Sequence, residues 1–159
     1  MKKIFLLVAV IATAFVQTGF AQHDHNSEKA PALLPLYYNI KDALVAGNAN
    51  LAASKSGEFV KALNTADERT VSKANKSSLL KHAGLIAESN DLKSQCEHFA
   101  GLSDGMIALT KSTKLSAEPV YQQYCPMKEA NWLSSEKTIK NPYYGSSMLT
   151  CGKIVEIIR

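Results

Sequence analysis

Apolar positions recur at helical spacing through the first two thirds of this chain and then give way to alternation. Between Leu33 and Ala46, Tyr37, Ile40 and Leu44 form one stripe, which predicts a first helix. Pro35 falls in its first turn, where a missing N–H costs nothing. Gly47-Asn48 ends this helix, and Asn48 is a good N-cap for a second from about Ala49 to Leu63. Ala52, Phe59, Val60 and Leu63 give the second helix its buried face, and Gly57 weakens the pattern without breaking it. Residues from Asn64 to Ser78 are polar and read as a solvated loop or weak helix. Leu79, Leu80, Ala83 and Ile86 predict a third helix from about Ser77 to Glu88. Asp91 caps a fourth, from Leu92 to about Thr113, with Phe99, Leu102, Met106 and Leu109 as its stripe. Met106 on that stripe reads as core filling. Four amphipathic helices with short connections predict an up-down four-helix bundle.

After Glu118-Pro119 the period changes. Val120 to Tyr124, Ala130 to Leu133 and the β-branched run Ile154 to Ile158 read as short strands. Asn141-Pro142 and Gly145 are turn signals. The fold class is therefore mainly α, with a small irregular C-terminal segment containing short β-strands. Residues 33–159 make a single domain whose last part, 119–159, stands apart in composition.

The N-terminus reads as an export signal. Met1-Lys2-Lys3 is a positive start, Ile4 to Val16 an apolar run interrupted only by Thr13, and Gly19-Phe20-Ala21 a cleavage site. The run is too short to span a bilayer, which needs about 20 residues. The expected mature chain starts at Gln22 and is periplasmic, with no membrane insertion after cleavage. Residues 22–32 read as a disordered linker, and His23 and His25 in it as a loose metal-capturing tail at most. The formal charge of +4 loses Lys2 and Lys3 with the signal. What remains is weakly positive and scattered, which implies no nucleic acid partner.

The three cysteines change the picture more than the charge does. An oxidising compartment favours pairing, and an odd count leaves one over. Cys125 stands two before Met127, and Met148 three before Cys151, with Trp132 between the two pairs. Thiolate, thioether and imidazole suit a soft ion, Cu(I) above all. Cys125 and Met127 alternate along an extended segment, so both side chains are expected on one face. A turn brings Met148 to Cys151. His98, on the fourth helix, is placed to add an imidazole. Cys96, two residues away, does not share its face. The rival reading is a Cys125–Cys151 disulfide. It closes a loop of 26 residues, worth roughly 3 kcal/mol in the chain-entropy account. Spacing alone leaves these two readings open. Zinc fits less well, because no Cys-x-x-Cys is present. A catalytic cysteine is disfavoured, since no histidine follows Cys125 and a base would have to come from His82 or His98. No catalytic residue is assigned.

Four strings carry a resemblance: Tyr124-Cys125-Pro126-Met127, Ala130-Asn131-Trp132-Leu133-Ser134, Ile139-Lys140-Asn141-Pro142-Tyr143-Tyr144-Gly145, and Met148-Leu149-Thr150-Cys151-Gly152. With Glu97-His98-Phe99-Ala100-Gly101-Leu102-Ser103 on the fourth helix, they resemble domain-of-unknown-function family 3347. The resemblance runs from about Leu33 to Ile157. That family is a bacterial exported domain, also found at the C-terminus of periplasmic adaptors of heavy-metal efflux systems. The resemblance implies a role near copper or silver handling. It makes Cys125, Met127, Met148 and Cys151 the ligand candidates, with His98 as an outer candidate. Cys96 departs from the family's pattern, where a larger polar residue such as arginine is expected. The spacer between Met127 and Trp132 is shorter than the family's.

The reading is a non-enzymatic periplasmic binding protein for Cu(I), Ag(I) or a related soft metal ion, with the adaptor of an efflux pump as partner. The alternative is a protein-interaction module with a Cys125–Cys151 disulfide and Tyr121, Tyr124, Trp132, Tyr143 and Tyr144 as its contact surface.

Overall fold

The computed structural model describes residues 32–159. The export signal, its cleavage site, His23 and His25 lie outside the described residues.

Among the described residues four helices come first: α1 (Leu33–Val45), α2 (Ala49–Asn64), α3 (Lys73–Ala87) and α4 (Leu92–Ser112). The caps explain three of their starts. The Asn48 side chain accepts from the Leu51 N–H at 3.0 Å, and Asp91 accepts from the Ser94 N–H at 2.8 Å. The third start differs from the expectation. Ser72 caps α3 and accepts from the Asn75 N–H, so the helix begins four residues before Ser77. Its first turn, Lys73 to Lys76, buries no side chain fully, while Val71 just before it is fully buried.

α1 packs on α2, α2 on α3, and α3 on α4. Tyr37, Ile40, Leu44, Phe59, Leu63, Leu79, Ile86, Phe99, Leu102 and Met106 fill the interior. At about 25 cal/mol per Å² of apolar surface removed from water, these side chains are the main stabilising term. Buried Gln95 ties the helix ends together: its amide donates to the carbonyls of Ala49, Ile86 and Ser89. α3 lies close on α4 because α4 presents Gly101 and Gly105 there. A Cβ on either glycine would come within 2.7 Å of His82 or Leu79.

Three strands follow: β1 (Val120–Cys125), β2 (Ala130–Ser134) and β3 (Lys153–Ile158). They form one antiparallel sheet in the order β2-β1-β3. A short 3₁₀ helix, Gly145–Met148, lies between β2 and β3. β2 packs on α4. Tyr37 of α1 joins helices to sheet: its hydroxyl is 2.7 Å from Ser103 Oγ and accepts from the Leu133 N–H at 3.1 Å. Among the described residues no helix is long and apolar enough to cross a membrane.

Candidate functional site: a thiol pair at the end of the sheet

β1 ends at Cys125, because Pro126 cannot continue the ladder and a turn follows. β3 begins at Lys153, which pairs with Tyr124. That register carries the residues just before β3 past the end of β1. The Sγ atoms of Cys125 and Cys151 consequently lie 4.0 Å apart. Cys125 is fully buried, Cys151 is partly exposed, and both carry free thiols. One sulfur thus faces the core while the other opens the pair to solvent. Burial, then the neighbouring Cys125, pushes the Cys151 thiol above its ordinary pKa. A metal binding here would displace protons.

Asn141 holds this arrangement, which its role as a turn signal did not foretell. Its side-chain amide donates to the Cys151 carbonyl at 2.8 Å, and its backbone N–H donates to the Leu149 carbonyl at 2.8 Å. Its side-chain oxygen accepts from the Tyr143 N–H. Gln123, also fully buried, donates to the Glu136 carbonyl at 2.9 Å and fixes the start of the same loop. Gly152 lets Trp132 lie against the chain beside Cys151: an added Cβ would stand 2.8 Å from the indole.

The other candidate residues are placed differently. Met127 does not share the face of Cys125: the strand has already ended, and Met127 sits in the turn with 62% of its surface exposed. Met148 ends the 3₁₀ helix and is 40% exposed. The Cys151 N–H donates to the Met148 carbonyl at 3.0 Å, so a turn does join these two. His98 is not gathered with the sulfurs. Its ring stands beside that of His82 on α3, with centroids 6.1 Å apart. Cys96 donates to the Pro142 carbonyl at 3.4 Å, and burial pushes its pKa up to about 11. It lines a cleft of about 830 Å³ between the start of α4, the end of α1 and the Pro142–Ser147 loop. Among the described residues no three His, Cys, Asp or Glu side chains gather as a metal-holding group. Of the aromatic residues expected at a contact surface, Trp132 and Tyr143 are core residues, while Tyr121, Tyr124 and Tyr144 are partly exposed.

The family profile described as "Protein of unknown function (DUF3347)" matches residues 33–118. The chain belongs to that family. The DUF3347 match covers all four helices and ends just before β1, so the thiol pair lies outside the matched residues. No curated protein and no solved structure matches the chain.

Proposed function

We propose that this DUF3347 protein is a non-catalytic periplasmic carrier of a soft metal ion, Cu(I) or Ag(I), accessory to heavy-metal efflux and handing its ion to the efflux adaptor. The observation that carries the reading is the 4.0 Å separation of the two sulfurs. With metal–sulfur bonds of about 2.3 Å, two thiolates sharing an ion at an angle near 120° stand about 4.0 Å apart. Cu(I) accepts such low coordination numbers and prefers sulfur. Cys125 and Cys151 are the first ligands in this reading. Met127 and Met148, exposed on the two loops that carry the cysteines, are the thioethers that an incoming ion meets first. His98 is left out of the set because it stands with His82. The packing of the helices in chain order supports an up-down course for the bundle that carries the site.

A Cu(I) competition titration on the reduced protein tests this. One tight equivalent is expected, lost in Cys151→Ser and weakened in the Met127→Leu/Met148→Leu double variant. Binding no tighter than in a sulfur-free control removes the metal from the reading.

The same sulfur contact favours a second reading. A side-chain rotation would bring the pair to the bond length of about 2.05 Å and staple the sheet for an interaction module. A thiol count on the native protein separates the two: three thiols for the carrier, one for the staple.

A further inference from the structure

His82 and His98 face each other across the α3–α4 contact, with ring centroids 6.1 Å apart and planes tilted by 48°. His82 packs against Gly101: a Cβ there would meet three of its ring atoms within 2.7 Å. Glycine at this position is what allows the ring to approach α4 beside His98. Among the described residues the buried Nδ1 atom of His82 has no hydrogen-bond partner. Two histidines brought together by the packing of α3 on α4, one of them with an unpartnered ring nitrogen, call for a ligand that two imidazoles can share.

We propose that His82 and His98 form a two-imidazole site for a borderline divalent cation of the Zn(II), Ni(II) and Cu(II) group, separate from the sulfur pair. With metal–nitrogen bonds of about 2.0–2.1 Å and the half-width of each ring added, two imidazoles on one ion at a tetrahedral angle have centroids about 5.2 Å apart. The observed spacing of 6.1 Å is wider, and binding an ion requires a rotation of the side chains that draws the rings together. Imidazole suits these ions, whereas thiolates and thioethers select softer ones. Both residues are only partly buried, so an ion reaches them from solvent. Burial holds the His82 imidazole below its ordinary pKa, Lys81 and His98 add to this, and Asp104 opposes it, so the neutral form that binds a cation is favoured. Among the described residues no third His, Cys, Asp or Glu completes the set. Water therefore fills the remaining positions, and the site is a weak, exchangeable one. The chain then holds one sulfur site and one nitrogen site, sorting ions by softness.

Zn(II) titration of the full chain, followed by NMR of the histidine ring nitrogens, tests this. The resonances of His82 and His98 are expected to move together at the same zinc concentration. His82→Gln and His98→Gln should each weaken the response by about tenfold or more. Gly101→Ala, which removes no ligand but lifts the His82 ring, should do the same. Cys151→Ser should leave the response intact, which keeps it distinguishable from the sulfur site. The proposal is overturned if only one of the two rings moves, if only His23 and His25 respond, or if the response survives both glutamine variants. The wild-type ring shifts decide the matter even if Gly101→Ala fails to fold.

Discussion

The spacing of Cys125 and Cys151 was readable as a pair, because each stands at a strand boundary that turn residues announce. The sulfur contact itself was not, since it depends on the register of β1 with β3 and on Asn141, whose hydrogen bonds to Cys151, Leu149 and Tyr143 no pattern in the sequence reveals. Met127 was misplaced for a local reason: alternation applies within a strand, and Pro126 ends it one residue too early. Two predictions belong at this scale. Gly152 has φ 151° and a Cβ there would stand 2.8 Å from Trp132 and 3.0 Å from the Tyr124 carbonyl. Gly152→Ala is expected to cost about 1–3 kcal/mol, read as a lower denaturation midpoint, and to loosen the pair, read as weaker Cu(I) binding. Unchanged stability would show that the strand accommodates a Cβ. Cys96 is the second case. Its pKa of about 11 means that the folded thiol stays protonated where an ordinary thiol, near 9, is already ionised. Its alkylation by iodoacetamide should therefore keep accelerating above pH 9. This raised pKa contributes stability below pH 9 that is lost as pH climbs toward 11, because the unfolded chain gives up the proton first. A rate that levels off near pH 9 would contradict the burial argument.

At the scale of elements, helices were legible where a cap and an apolar stripe coincide. Asn48 and Asp91 each precede a stripe directly, and both starts emerge where expected. The start of α3 did not, because its cap, Ser72, is separated from the first buried residue of the helix, Leu79, by a mostly polar stretch. How α3 meets α4 was also hidden: glycine in a helix reads as a weakness, whereas Gly101 and Gly105 here make room for a neighbour. Gly105 is buried, and a Cβ on it would stand 2.7 Å from Leu79 Cδ2 and 3.2 Å from Asn75 Oδ1. The Asn75 side-chain amide donates to the Gly105 carbonyl at 3.1 Å, so the helices cannot part there without losing a bond. Gly105→Ala gains helix propensity of about 1 kcal/mol but overpacks a close contact, which costs about 1–3 kcal/mol. A net loss of stability by thermal melting is expected. A gain would mean that Leu79 moves aside at little cost.

For the whole molecule the question is whether the sheet is a separate unit or part of the helical core. The profile match stops at residue 118, close to where the hydrophobic period changes, which taken alone would divide a chain whose length reads as one domain. The packing argues otherwise. Tyr37 stacks on Phe99 at 5.2 Å, Phe99 meets Tyr143 at 5.9 Å, and Tyr143 meets Trp132 at 6.0 Å, one aromatic chain from α1 through α4 into β2. The Tyr37 hydroxyl bonds partners 66 and 96 residues further along, Ser103 and Leu133, a separation no local pattern can show. Its burial pushes its ionisation well above the ordinary tyrosine range. Tyr37→Phe keeps the ring and strands a buried N–H on β2 and a buried hydroxyl on α4. An unsatisfied buried group costs about 1–3 kcal/mol. The denaturation midpoint should therefore fall with an unchanged slope, which marks lost stability without a change in the surface exposed. Trp132, the only tryptophan, lies in β2, so its fluorescence reports the sheet while far-ultraviolet circular dichroism reports the helices. In wild type and variant alike the two transitions should coincide, because the hydroxyl and the aromatic chain make helices and sheet melt together. A fluorescence transition that runs ahead of the helical one would show instead that the sheet, with its thiol pair, opens while the bundle stays folded.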